Sequence, residues 1–194
     1  MNTPSQPLLV AIDFSPDSSA ALAWAARYAD LRHAPLILLH VVHEPADHPG
    51  FYRQSAEDRA QPMQDVAARM MDDFLEKFRE EHPGHPALDA AEARFVPGLP
   101  PSRIVEVAQL ISAEAIVVGS RGITGLPHML LGSVAERVVE LAECPVVVVK
   151  SEETGISDKK TIKRLEKKQK KERKMLKRLL GLKPESEPDH GAND

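Results

Sequence analysis

Three glycines and the polar residues beside them carry the strongest chemical signal in this sequence. Gly119-Ser-Arg-Gly122 is followed by nine residues and then by Gly132-Ser133. A glycine at 119 lets the backbone turn sharply and lie close to a ligand. Gly122 would permit positive φ and expose backbone N–H groups. Gly132-Ser133 stands at the start of a helix, where free N–H groups and the helix dipole favour an anion. Ser133 adds a hydroxyl donor and Arg121 a positive charge. This is the chemistry of a phosphate cradle. The same glycines would also close a plain strand-to-helix loop, and spacing alone leaves both readings open. Neither G-x-x-x-x-G-K-[ST] nor a G-x-G-x-x-G after the first strand is present. A nucleotide held here is held by another scheme.

The remaining polar residues say less. Asp13 follows the first apolar run, where an aspartate can touch a ligand or cap the next helix. His40 and His43 sit at the end of the second run, and His128 lies inside the glycine loop. His82 and His85 flank a glycine, but no nearby Cys or acidic pair completes a metal ligand set. No nucleophile and base stand at readable spacing, and no carboxylate is placed to activate water. Catalysis is therefore not expected beyond slow, incidental hydrolysis of a bound nucleotide.

These residues need elements to position them. Leu8–Ile12 is a short continuous apolar run that reads as a strand buried on both faces. Ser15-Pro16 is an N-cap and N1 pair for a helix running to about Arg32. Leu36–Val42 is a second buried strand. Residues 43–61 show no period and read as a long surface loop. Val66, Met70, Met71, Phe74, Leu75 and Phe78 recur at helical spacing over about 62–81, and His82-Pro-Gly-His-Pro86 breaks that helix. Ala91–Val96 alternates as a third strand. A helix through Ile104, Val105, Val107, Ala108 and Ile111 follows the loop 97–102. Ala115–Val118, a helix over Ser133–Leu141, and Pro145–Lys150 complete the pattern. Alternating strands and helices imply an α/β, doubly wound parallel sheet with right-handed crossovers. Ligands in such sheets sit at the carboxyl ends of strands, where the strand order reverses.

Bulk composition sets the outer bounds. The chain has 194 residues, 42% hydrophobic but only 4% aromatic, so its core is aliphatic. One cysteine, Cys144, excludes an internal disulfide framework, fits a reducing compartment and reads as a small buried hydrophobe. The start, MNTPSQPLL, has no basic segment and no long apolar run, and no window is long enough to span a membrane. A cytoplasmic location is expected. Charge divides the chain: residues 1–150 carry 12 Lys+Arg against 20 Asp+Glu, whereas 151–194 carry 13 against 9. Within 159–183 the net charge is +11. An acidic domain over 1–150 therefore carries a basic, partly helical tail over 151–194 with a disordered end.

With these residues in hand, the sequence resembles the universal stress protein family, ATP-binding branch. The resemblance rests on Gly119-x2-Gly122-x9-Gly132-Ser133, on Asp13-Phe-Ser-Pro-Asp-Ser18, on His40-Val41 and on Cys144-Pro-Val-Val-Val-Val149. It implies a five-stranded sheet ordered 3-2-1-4-5, of the adenine nucleotide alpha hydrolase-like kind. It implies adenine against Ala11, Ile12, Asp13 and Val41, and ribose near Asp13 and Gly119. Phosphates would lie on Ser120, Arg121, Gly122, Gly132, Ser133 and Val134, with Ser15 and Val118 also counted to the cofactor side. ATP with Mg²⁺ or Mn²⁺ on its phosphates is the implied cofactor, and no metal is held by the protein alone. It further implies a homodimer through the last strand, Val146, Val147, Val148 and Val149. A dimeric, nucleotide-dependent regulator of the stress response is the function expected. The alternative is a dimeric scaffold whose tail is the effector, with ATP absent or structural.

The resemblance does not reach the tail. Ile162, Leu165, Leu176 and Leu179 share a heptad seam, but Gln169 and Glu172 interrupt it, so a strong coiled coil is not expected. The more apolar end, Met175–Leu182, suits an anionic membrane surface or an acidic protein. Nucleic acid binding by charge is open as well, though no aromatic is present for base stacking. A solvated extension is the plain alternative.

Overall fold

In the computed structural model, residues 5–44, 49–123 and 131–151 are described. The expected alternation appears, with two small additions. The order is β1 (Leu8–Ala11), α1 (Pro16–Arg32), β2 (Leu36–Val42), α2 (Ala56–Arg59), α3 (Met63–Glu81), α4 (Pro86–Asp89), β3 (Glu92–Pro97), α5 (Pro100–Leu110), β4 (Ala115–Gly119), α6 (Ser133–Leu141) and β5 (Val146–Val149). The five strands form one sheet in the order β3-β2-β1-β4-β5. Every pairing is parallel.

The sheet is central because its inner strands are apolar on both faces. All seven residues of β2 are buried. In β1, Leu8 and Val10 face one core with Leu22, Leu38, Met71 and Phe78. Leu9 faces the other, with Leu39, Ile104, Ile116 and Val138. That split is the two-residue period of a strand, with helices covering both faces. Helix α1 lies on the first face through Ala21, Ala25, Ala26 and Ala29, all fully buried. Small side chains let its backbone come close to the sheet.

Val10 is aligned with Leu38 of β2 on one side and Val117 of β4 on the other. The chain leaves β1 towards β2 and β3, then returns to β4 on the opposite side. The reversal beside β1 opens a crevice at the carboxyl ends of β1 and β4.

Two short helices were not expected. The loop 43–61 holds α2, whose Ser55 accepts from Asp58 N while the Asp58 carboxylate accepts from Ser55 N. This reciprocal cap stabilises a single turn too short to show as periodicity. After the break at 82–86, α4 starts at Pro86 and is fastened to α1. The Asp30 carboxylate accepts from Ala87 N at 2.9 Å and lies 2.7 Å from His85 Nδ1. Strand β3 is an edge strand whose first three residues are exposed. No described helix is long and apolar enough to cross a membrane. The tail expected over 151–194 lies outside the described residues apart from Ser151.

Candidate functional site

The site begins where β1 ends. Ile12 N continues the ladder by donating to Leu39 O at 2.9 Å. The chain then bends at Phe14, which has φ of 66°. An aromatic residue in the left-handed region is uncommon, and such a conformation costs on the order of 1–3 kcal/mol that the surroundings must offset. Here the surroundings are aromatic: the Phe14 ring lies 4.6 Å from His40 and 5.7 Å from Phe74, centroid to centroid. The bend sends Phe14 into the core and leaves Asp13 at the crevice. Asp13 Oδ1 accepts from Ser15 N at 3.0 Å and from Ser15 Oγ. Ser15 Oγ in turn accepts from Ser18 N at 3.1 Å, as an N-cap should.

The far wall is the loop after β4, and its glycines are small for reasons the spacing does not reveal. A Cβ on Gly119 would stand 2.7 Å from the Asp17 carbonyl carbon and 2.8 Å from Ser18 N, so the first turn of α1 packs directly on it. A Cβ on Gly122 would stand 2.8 Å from Asp13 Oδ2. The positive φ expected at Gly122 is not adopted; positive-φ glycines among the described residues are Gly50, Gly84 and Gly98. Gly122 is small because the Asp13 carboxylate occupies the adjoining space. Among the described residues, the nearest neighbour of a Cβ at Gly132 would be Ser120 O at 3.4 Å, which is ordinary contact. Gly132 N donates to Ser120 O at 2.7 Å, which clamps the two ends of the loop together. Helix α6 starts at Ser133, and its N-cap Gly132 offers no side-chain acceptor. The first N–H groups of a helix have no partner within it, and no side-chain cap takes them at this end of α6 among the described residues.

These parts enclose a cleft of about 410 Å³. Ala11, Ile12, Asp13, Val41 and Val118 line it, as do Gly119, Ser120, Arg121 and Gly122, and Gly132, Ser133 and Val134. Ser15 is placed elsewhere: it is buried behind the bend and engaged in capping α1. Arg121 touches the cleft, yet its side chain is buried and its Nε lies 3.3 Å from Asp17 Oδ2. Its Nη2 is buried and has no hydrogen-bond partner among the described residues.

The histidines resolve differently. His40 lines the cleft, but its ring is used on both sides. Nδ1 lies 2.7 Å from Ile12 O and so carries the hydrogen, while Nε2 accepts from the Tyr52 hydroxyl at 2.8 Å. Burial pushes the His40 pKa down and that of Tyr52 up to about 12, so both stay neutral near pH 7. His43 also lines the cleft, its Nδ1 3.0 Å from Val41 O. His128 lies outside the described residues. No group of three or more His, Cys, Asp or Glu side chains able to hold a metal occurs among the described residues. Cys144 is half-buried, and burial pushes its thiol pKa up.

Little in the sequence marks Asp17. An acidic residue in the first turn of a helix is ordinary, since it complements the dipole. In the folded chain it is 2% exposed and accepts from Ser120 Oγ, Arg121 N, Arg121 Nε, Ser151 N and Ser151 Oγ. Burial acts to raise its pKa. The hydrogen bonds from Ser120, Ser151 and Arg121 outweigh that and hold it below the ordinary 3.8. Tyr52 was missed as well; with Phe51 it lies in a loop without periodicity, with no positional signal to mark it.

Comparison with known proteins adds an independent line. The universal stress protein family model matches residues 4–150. Universal stress protein YxiE of Bacillus subtilis is 32% identical over 150 residues, covering 74% of this chain and 97% of that protein. A universal stress protein of Mycobacterium tuberculosis is 32% identical over 157 residues, covering 78% of this chain and 50% of that one, so the chain spans about half the length of the mycobacterial relatives. Among solved structures, UspA from Lactobacillus plantarum is similar with a TM-score of 0.58 at 26% identity, over 76% of this chain and 99% of that one. A universal stress protein in complex with cAMP shares the fold with a TM-score of 0.51 at 23% identity, over 76% and 98%.

Proposed function

The chain belongs to the universal stress protein family, and from that premise we propose that its cleft binds ATP and that the protein is a cytoplasmic, nucleotide-dependent regulator in a stress response. One observation carries the reading: the uncapped start of α6 is clamped against the 119–122 loop beside a buried arginine whose Nη2 has no hydrogen-bond partner among the described residues. A buried donor without an acceptor is costly, and an anion in the cleft would supply one. The Arg121 guanidinium, the Gly122, Ser133 and Val134 N–H groups and the Ser133 hydroxyl are assigned to the phosphates, with Ser120 and Gly132 holding the loop against them through Asp17 and through each other. Asp13 is assigned to ribose, and Ala11, Ile12 and Val41 to the base. Mg²⁺ or Mn²⁺ would arrive on the phosphates, where it neutralises charge between them. That the fold can accept an adenine nucleotide is supported by its relative in complex with cAMP.

Dimerisation belongs to the same reading. Strand β5 pairs with β4, and no second neighbour for it occurs among the described residues. A four-valine edge of this kind invites a partner strand, and a second copy is the proposed partner. Light scattering at tens of micromolar should return a dimer mass; a monomer mass would remove this part.

A second reading is favoured by the charge division alone. The tail, with +11 over 159–183, is proposed to bind an anionic membrane, nucleic acid or an acidic protein, with the domain over 1–150 as a platform. Isothermal titration of ATP with Mg²⁺ separates the two. Saturable binding at one site per chain supports the nucleotide reading, and no heat at millimolar ATP ends it.

A further inference from the structure

We propose that Asp17 is the positioning residue of the 119–122 loop and that, through it, a nucleoside triphosphate in the cleft tightens the hold on Ser151, where the chain leaves the sheet. The proposal rests on the nucleotide reading above. Its starting point is the geometry of one buried carboxylate. Oδ2 accepts from the loop: Ser120 Oγ at 2.6 Å, Arg121 N at 3.1 Å and Arg121 Nε at 3.3 Å. Oδ1 accepts from Ser151 Oγ at 2.6 Å and Ser151 N at 3.2 Å. The two oxygens thus divide between the phosphate end of the cleft and the residue just beyond β5. The contact has no slack, because the Asp17 backbone sits where a side chain at residue 119 would begin. The loop is tied to the end of β5 a second time, by Ser120 N donating to Val149 O at 2.6 Å.

Arg121 makes the link responsive to a ligand. Its Nε serves Asp17, while its Nη2 is buried with no hydrogen-bond partner among the described residues. A phosphate in the cleft offers this cation a stronger, charge-assisted acceptor. As Arg121 turns to it, Oδ2 loses one of three donors. The carboxylate is still buried and still charged, so its remaining donors bind it more tightly. Two of those are on Ser151. Linkage requires the converse: whatever loosens Ser151 weakens nucleotide binding by the same factor.

Amide hydrogen exchange on the full-length protein reads this directly. Saturating ATP with Mg²⁺ should slow exchange at Ser151 N–H at least threefold. In Asp17→Asn the one remaining oxygen can face the three loop donors, which turns the amide NH₂ towards Ser151, whose N–H cannot accept. Exchange at Ser151 should then be about tenfold faster and indifferent to ATP. Ser151→Ala, which removes the Oγ bond to Asp17 at a half-buried position, is the milder variant and should weaken ATP binding at least twofold. If ATP binds and Ser151 protection does not change, or if Ser151→Ala leaves the ATP affinity unaltered, the coupling is overturned while the nucleotide reading stands. If the wild-type protein does not bind ATP, the nucleotide reading fails first, and the coupling fails with it.

Discussion

The two ends of the cleft are built from different forces. At the phosphate end, segments distant in sequence are joined by hydrogen bonds to two carboxylates: Asp13 beside Gly122, and Asp17 between Ser120, Arg121 and Ser151. At the base end, Phe14, His40, Tyr52 and Phe51 pack ring against ring, with one buried hydrogen bond from Tyr52 to His40. The phosphate end should break when a polar group or a little volume is changed without altering the fold. The base end should break when a ring or its single hydroxyl is removed, and stability should register it.

The largest effect is expected at Gly119, where the phosphate-end loop packs on the backbone of α1 and stability, as well as binding, registers a change. A Cβ there meets backbone atoms of α1 at 2.7 and 2.8 Å, which cannot give way as a flexible side chain can. Gly119→Val should cost about 3 kcal/mol by urea unfolding, the upper range for an overpacked core. A cost under about 1 kcal/mol would show that α1 can move away from β4. Next is Tyr52→Phe, which strips the hydroxyl from buried His40 Nε2 and should cost about 1–2 kcal/mol, with little change at the phosphate end. An equal loss of ATP affinity would mean that the two ends are not separable.

Gly122→Ala inverts that pattern. Among the described residues its Cβ meets the Asp13 carboxylate oxygen alone, which can rotate away from its assigned place in the cleft. ATP affinity should fall about tenfold, or ~1.4 kcal/mol, with unfolding nearly unchanged. Gly132→Ala should do least, with a stability change under about 0.5 kcal/mol, since the nearest atom among the described residues is at 3.4 Å.

Acid unfolding offers the same comparison on one axis. His40 has its pKa lowered by burial from 6.5, so the folded state prefers it neutral. Its contribution is complete above pH 6.5 and is lost as pH falls below that value, where the unfolded chain takes up the proton. Asp17 has its pKa held below 3.8 by its hydrogen bonds. Its contribution is complete above about pH 3.8 and is lost only as pH falls through the lower folded value. The base end should therefore weaken first on acidification, and Asp17→Asn should flatten only the limb below about pH 4. A single transition that neither His40→Asn nor Asp17→Asn alters would contradict the assignment of the two ends.

Most of the framework was legible before the structure. Strand order, helix starts and the glycine loop followed from apolar runs, the Ser15-Pro16 pair and the family resemblance. The cleft gathers the residues that resemblance assigned to the cofactor side, apart from Ser15. The reasons behind the glycines were not legible. Gly119 and Gly122 answer to Asp17 and Asp13, more than a hundred positions away, and no local pattern encodes a contact of that range. Asp17 was hidden because a first-turn aspartate looks like routine dipole compensation. Tyr52 was hidden because an aromatic in an aperiodic loop shows no partner for its hydroxyl until the chain brings His40 beneath it. Both short helices escaped because a single turn cannot show a period.

We propose that a nucleotide sits against the clamped loop and the start of α6. Backbone amide shifts in the full-length protein, followed by NMR during titration with ATP and Mg²⁺, test it residue by residue. The expected result is saturable movement of the Gly122, Ser133 and Val134 amides together with Val41 at the base end, while Leu110 on the far helix surface stays still. Saturation with those four amides unmoved, or no perturbation at millimolar ATP, would contradict it.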